Sequence, residues 1–442
     1  MNQVDRTISP ARAIDGIVVL PGDKSISHRY GMLAAVAQGT TRILNYATGA
    51  DCQSTLSCME ALGARVSRPG DEGNKAEELM TIVEGGELHE PTSDLDAGNS
   101  GTITRMLTGI LAGQEFTSRM FGDESVTRRP VDRVTKPLTQ MGAHIELRDG
   151  RYPPLVIHGR PLHGIEYTPP VASAQVKSCV LLAGLFASGD TVVQEPVQTR
   201  DHTEIALREF GADIEVERRT VRLRPGQPLI GRELVVPGDL SSACFFLVAA
   251  LMAKECDLAI RGVGLNPTRS SLLDFLVGMG APIKVVNLQQ IGGELMGDLR
   301  LRRSASSALA APVLGGVIEG ALTAALIDEI PALAVLGATS EGGLTVRDAA
   351  ELRVKETDRI ETVAEGLRRM GVTIETTPDG FHVPGKQKLH AAEIESAGDH
   401  RIAMAFSIAA LAADGPCTIQ DAAAASVSFP TFFDLLDQIA KR

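Results

Sequence analysis

The sequence predicts an α/β protein of two domains, built from six repeats of one strand-and-helix unit of βαβαββ type. Three observations predict it. A five-residue phrase recurs along the chain, two kinds of helix alternate between its copies, and one stretch near the start is echoed past the middle.

The phrase is a large apolar residue, glycine, a small residue, any residue and a β-branched one. It occurs as Leu62-Gly63-Ala64-Arg65-Val66, Met141-Gly142-Ala143-His144-Ile145, Phe210-Gly211-Ala212-Asp213-Ile214, Met279-Gly280-Ala281-Pro282-Ile283 and Met370-Gly371-Val372-Thr373-Ile374. Each copy predicts a helix stopped by glycine and followed directly by a strand. The preceding stretches, such as DCQSTLSCMEAL, DHTEIALREF and KETDRIETVAEGLRRM, are amphipathic. A sixth, FPTFFDLLDQIAKR, ends the chain where a sixth such strand would otherwise begin.

Between these lies a second helix set that is apolar nearly all round: GMLAAVAQG, TRMLTGILAG, KSCVLLAGLFA, ACFFLVAALMA, PALAVLGATS and RIAMAFSIAALAA. A helix without a polar face belongs inside a core. Their glycines and alanines permit close backbone packing, which suits a chain with 4% aromatic residues and no tryptophan. Hairpin strands such as TVRLRP and GFHVPG close some of the units.

The echo is VVLPGDKSIS at 18–27 against VVPGDLSSA at 235–243, and it divides the repeats in half. Residues 21–237 are expected to form one domain. Residues 1–20 join 238–442 in the other, with two crossings near 20 and 238 and three units on each side. At 442 residues the chain exceeds what one core usually serves.

Acidic residues outnumber basic ones, 55 to 43, so the surface is expected to repel nucleic acid and acidic membranes. A site for anions would be a local exception. The six cysteines include no CxxC pair, which suits a reducing cytoplasm, and no stretch reads as a signal peptide or membrane span. The nine histidines show no metal-ligand spacing along the chain, so no metal is expected.

A short polar segment precedes each apolar helix: PGDKSISHR, GNSGT, ASAQ, PGDLSS, IDEIP and GDHR. Helix N-termini carry free N–H groups and the positive end of the macrodipole, so they suit anions. Lys24, Arg29, Arg105, Arg129, Arg200, Lys355, Arg359 and Arg401 lie in or beside these starts or their flanking loops. Arginine forks match carboxylate and phosphate, while lysine offers a compact charge. Asp328 and Glu356 also stand at helix starts; alone each reads as a helix cap, but among these cations general acid/base work is the alternative.

PGDKS followed by SxR, GNSGT with Arg105, RRP at 128–130, ASAQVKS, RVKETDR and GDHR occur here together and in order. In this the chain resembles the enolpyruvyl transferase family from end to end. The resemblance implies that each domain is an inside-out α/β barrel, with helices buried inside sheets and their N-termini pointing at a cleft that closes around the first substrate. It implies small-molecule substrates alone, with no cofactor or obligatory metal, and a monomer is expected. Within the family the closest likeness is to members that move the enolpyruvyl group of phosphoenolpyruvate onto the 5-hydroxyl of shikimate 3-phosphate. The sister transferase acting on UDP-N-acetylglucosamine is the alternative. Its first motif pairs lysine with asparagine and it uses a loop cysteine, whereas Ser25 follows Lys24 here and no cysteine lies between Cys58 and Cys179. A non-catalytic anion-binding protein is a further reading, and it would require a lost acid or base.

Carried over by motif, Lys24, Ser25, Arg29, Ser173, Ala174, Gln175, Arg200, Asp328 and Lys355 fit the shikimate 3-phosphate site. Lys24, Gly101, Thr102, Arg105, Arg129, Gln175, Arg359 and Arg401 fit the phosphoenolpyruvate site. The resemblance gives catalytic roles to Asp328 as base for the hydroxyl, Glu356 as acid and then base at C3, and Lys24 at the departing phosphate. Two positions depart from many relatives: Ala174 stands where they have serine, and Val427 stands before Ser428-Phe429-Pro430 where some have lysine. Glyphosate occupies the phosphoenolpyruvate site in this family. Gly101 is the residue of sensitive relatives, while ASAQVKS and TRDHTE resemble the tolerant ones, so partial sensitivity is expected.

Overall fold

In the computed structural model, which describes residues 4–70, 79–304 and 312–442, every copy of the glycine phrase ends a helix in the same way. Gly63, Gly142, Gly211, Gly280 and Gly371 have φ of 108°, 99°, 92°, 89° and 78°, a region that only glycine enters without strain. The residue after each glycine donates its N–H to a carbonyl five positions back: Ala64 to Met59, Ala143 to Leu138, Ala212 to Leu207, Ala281 to Leu276 and Val372 to Leu367, all at 2.9–3.0 Å. These are Schellman caps, which satisfy otherwise orphaned helix carbonyls. Strands Arg65–Ser67, His144–Arg148, Asp213–Glu217, Ile283–Ile291 and Glu375–Thr377 follow at once.

The first residue of each phrase also accepts a backbone hydrogen bond from a later segment. His89, His163, Ile230, Leu314 and His390 donate to Leu62, Met141, Phe210, Met279 and Met370 at 2.8–3.0 Å. One differs from the expectation. The final helix, Phe432–Ile439, is followed by a short strand after all, Ala440–Lys441, antiparallel to Ala13–Val19.

Four sheets repeat one strand order. In the first, Glu233–Val235 runs parallel to Gly39–Leu44, which pairs antiparallel with Met80–Gly85, and Arg65–Ser67 forms the edge. The sheets centred on Thr117–Phe121, Thr191–Gln194 and Leu344–Val346 have the same order. The chain start supplies two others: Ala13–Val19 lies between Glu255–Gly264 and Ala440–Lys441, and Arg6–Ile8 pairs with Cys417–Gln420.

The chain divides into two compact units. One comprises Gly22–Pro237 with Gln290–Glu294, and the other Met1–Pro21, Gly238–Gln289 and Leu295–Arg442. Each has its own apolar core. The apolar helices supply the centre of both: Lys24–Val36, Gly101–Ala112 and Ala174–Gly184 in the first, Leu240–Met252, Ile330–Thr339 and His400–Leu411 in the second. Each fully buried Leu, Ile or Phe contributes about 1.5–3 kcal/mol. Small residues set the helix spacing, because a Cβ on Gly109 would lie 2.3 Å from the carbonyl oxygen of Cys179 on the neighbouring helix. All six cysteines are buried, and none is joined in a disulfide. No helix among the described residues is long and apolar enough to cross a membrane.

Gly109→Ala is therefore expected to lower stability by about 1–3 kcal/mol, the usual cost of overpacking. Gly278, in the last turn of Ser271–Gly278, has open space around it, and Gly278→Ala is expected to be neutral or stabilising by up to about 1 kcal/mol. Denaturant midpoints of the two variants check this; equal midpoints would refute the close helix contact.

Candidate active site

Five of the six polar segments before the apolar helices fold as helix caps; in the sixth, IDEIP, Glu329 holds the N-cap position without a side-chain cap bond and Asp328 lies one residue before it. Asp23 accepts from the Ile26 N–H at 2.9 Å, Ser100 from Ile103 at 3.3 Å, Ser173 from Val176 at 3.4 Å, Asp239 from Ser241 at 2.9 Å and Asp399 from Arg401 at 2.8 Å. Each cap satisfies one of the first N–H groups of its helix.

In the unit of Gly22–Pro237, Lys24 pairs with the buried carboxylate of Asp51, on the first turn of Ala50–Ala61. Gly22 is required just before it, since a Cβ there would lie 1.9 Å from the Asn45 carbonyl oxygen. The starts of Gly101–Ala112 and Ala174–Gly184 are joined by side chains. Arg105 Nη1 donates to Gln175 Oε1 at 2.9 Å, and Gln175 Nε2 donates to Thr102 Oγ1 at 3.2 Å. Arg129 donates to Ser125 Oγ at 2.6 Å and to Asn99 Oδ1 at 3.5 Å. A Cβ on Gly101 would stand 2.9 Å from Arg105 Nη1 and 3.4 Å from Arg129 Nη1, so the glycine and both guanidinium groups share one corner. Ser25, Thr102, Ser173, Ala174, Gln175 and Arg200 are half-buried.

Arg29 lies deeper. It is 3% exposed and donates to Thr203 Oγ1 at 2.6 Å, to the Ser25 carbonyl at 2.8 Å and to Ser178 Oγ at 2.8 Å. Burial brings its pKa down to about 10, against the opposing pull of Glu204 and Asp23.

In the other unit, five candidates meet in one cluster. Asp328 Oδ1 lies 3.4 Å from Lys355 Nζ and 3.6 Å from Arg359 Nη1. Arg359 Nη2 donates to Glu356 Oε2 at 2.5 Å, and Arg401 Nη1 donates to the Asp328 carbonyl at 2.6 Å and to Ser241 Oγ at 2.9 Å. Arg359 is 1% exposed and its Nε donates to Asp399 Oδ2 at 2.8 Å. Burial alone would depress this guanidinium, but Asp399, Glu356 and Asp328 outweigh it and hold the pKa above the usual arginine value. Burial likewise pushes Asp399 up, and Arg359 with His400 pulls it back below the usual carboxylate value.

Sequence reasoning missed Asp399, Asp51 and Ser241. Asp399 was within reach, because GDHR places it as the cap of a fully apolar helix; the two others are brought in only by tertiary packing. Val427 is buried in the turn Ala422–Val427 rather than presented as a polar contact. His144 and His158 face each other across two strands with Glu146 beside them, a pairing invisible to spacing along the chain. Their rings stack 4.7 Å apart at 25°, and His158 pairs with Thr117 Oγ1 at 3.3 Å and with Glu146 Oε1 at 3.1 Å.

Comparison with known proteins bears on the whole chain. A family profile described as EPSP synthase (3-phosphoshikimate 1-carboxyvinyltransferase) matches residues 8–436. The 3-phosphoshikimate 1-carboxyvinyltransferase of Solibacter usitatus is 58% identical over 99% of this chain and 100% of its own length. That of Koribacter versatilis is 51% identical over 98% and 99%. The solved structure of EPSP synthase from Acinetobacter baumannii superposes with a TM-score of 0.86 at 41% identity, covering 99% of this chain and 98% of that one. With a profile matched across nearly its full length and a relative more than half identical, this chain belongs to the EPSP synthase family.

Proposed function

We infer that this chain transfers the enolpyruvyl group of phosphoenolpyruvate to the 5-hydroxyl of shikimate 3-phosphate, giving 5-enolpyruvylshikimate 3-phosphate and phosphate. The observation that carries this reading is the cluster of Asp328, Lys355, Glu356, Arg359 and Arg401, in which two carboxylates stand among three cations. A protein that only held anions would have no use for the carboxylates. All six cysteines lie within helices or strands, so none stands on a loop as the sister transferase would need.

Shikimate 3-phosphate is bound by Lys24, Ser25, Arg29, Ser173, the Ala174 backbone, Gln175, Arg200 and Lys355. Phosphoenolpyruvate is bound by Lys24, Gly101, Thr102, Arg105, Arg129, Gln175, Arg359 and Arg401. Asp328 takes the proton of the 5-hydroxyl as its oxygen attacks C2, while Glu356 delivers a proton to C3. In the second step Glu356 takes a proton back from C3 and the C2–O bond to phosphate breaks, with Lys24 opposite the leaving oxygens. The two compact units are the two domains, with crossings near residues 20 and 238, and each is an inside-out α/β barrel of three repeats. The apolar helices at each core and the recurring strand order support that reading.

Asp328→Asn keeps the shape of the side chain but cannot accept the hydroxyl proton. Calorimetry should show shikimate 3-phosphate still bound, while turnover falls by roughly 10²–10⁴, the usual share of a positioned acid or base. Near-normal turnover would remove Asp328 as the base.

Gly101→Ala places a methyl group against the tips of Arg105 and Arg129. The inhibition constant for glyphosate is expected to rise at least about tenfold, equivalent to about 1.4 kcal/mol. An unchanged constant would mean that Gly101 does not line the pocket.

A further inference from the structure

Two positions after Gln175, Lys177 is only 1% exposed, on the first turns of helix Ala174–Gly184. Its ammonium lies 2.9 Å from Glu195 Oε2 and 2.6 Å from Glu204 Oε1, both carboxylates being buried as well. Burying three charges is costly, and an apolar trio of similar volume would usually hold a core together at least as well. The arrangement is therefore explained by what it fixes in place more than by stability.

What it fixes is the segment from Glu195 to Glu204, which carries Arg200 between the two carboxylates. One ammonium clamps both ends of that segment. Glu195 also accepts from the Thr199 N–H at 3.1 Å and from the Thr199 hydroxyl, so the residue before Arg200 is tied to the same carboxylate. At the far end Thr203 bonds to Ser178 at 2.6 Å and accepts from Arg29 at 2.6 Å. Ser178 donates in turn to the Ala174 carbonyl at 2.7 Å. The helix start bearing Ser173, Ala174 and Gln175 is thus bound to the Arg200 segment by two sets of buried polar contacts, the Lys177 pairs with Glu195 and Glu204 and the Ser178–Thr203 hydrogen bond.

We propose that Lys177, through Glu195 and Glu204, is a positioning residue that sets where Arg200 stands relative to Ser173–Gln175, and so governs recognition of the sugar-phosphate substrate. The proposal rests on the assignment of Arg200 to that substrate. It distinguishes Lys177 from a residue that merely supports the fold, because a loss of positioning should fall on one substrate and not on the other.

The test replaces the three charges together, as Lys177→Met with Glu195→Gln and Glu204→Gln, so that no buried carboxylate is left without its cation. The affinity for shikimate 3-phosphate, measured by calorimetry without the second substrate, is expected to weaken about tenfold. The KM for phosphoenolpyruvate at saturating shikimate 3-phosphate should stay within about twofold, and the melting temperature should be held. Arg200→Ala alone should weaken shikimate 3-phosphate comparably, and adding the triple replacement to it should cost less than about twofold more, since both act through one contact. If Arg200→Ala is silent, the assignment of Arg200 fails and the proposal with it. If Arg200→Ala weakens binding and the triple variant does not, or if the two effects simply add, the assignment survives and the proposal is overturned. Should the triple variant not fold, Lys177→Arg decides: it keeps the charge but presents a planar fork to both carboxylates, and parent-like affinity in it would overturn the proposal.

Discussion

Arg359 and Asp399 bring two full charges almost completely out of water, at 1% and 0% exposure, and the polar cluster of their unit is arranged around them. Taking either ion into the interior alone would cost several kcal/mol, so each holds the other in place. Asp399 does more than neutralise. Its Oδ1 accepts from the Arg401 N–H and caps His400–Leu411, and its Oδ2 also accepts from Thr357 Oγ1. Arg359 carries the constraint outward to Glu356 and Asp328. The start of His400–Leu411, the carboxylates of Glu356 and Asp328 and the guanidinium of Arg359 are therefore tied to one buried pair.

The two units use equivalent helix starts differently. Asp23 and Asp239 both cap their helices, through the N–H three and two residues on, yet the next residue is Lys24 in one and Leu240 in the other. The lysine meets Asp51, while the leucine is buried in its core. The same backbone device, a capped apolar helix with its first N–H groups available, thus supports a charge on one side and packing on the other. The residues around the device differ between the two units, while the device itself is the same kind in both.

Much of the architecture was legible because it is written locally. A glycine at positive φ, a cap residue and an unbroken apolar stretch each act within a few residues, and all five glycine phrases fold as read. The short strand Ala440–Lys441 was missed because its partner, Ala13–Val19, lies at the other end of the chain. The same limit applies to the site. Motifs identified the cations and carboxylates, but nothing in the spacing says that Arg29 is buried against Thr203, that Lys177 faces two glutamates, or that Asp51 receives Lys24. Those are properties of packing between segments, and residue type alone does not carry them.

The opening twenty residues impose an order on the birth of the molecule. Ala13 pairs with Glu255 and Lys441, and Arg6 with Ile419, so this segment leaves the ribosome long before any strand it will join exists. Gly22–Pro237, apart from the small insertion of Gln290–Glu294, is continuous and can bury its core as soon as it is made. The segment 6–19 must wait through that event for Cys417–Gln420 and Ala440–Lys441. During synthesis Ala13–Val19 is thus an unpaired strand until Glu255–Gly264 is made, and its unpaired edge is the exposed liability.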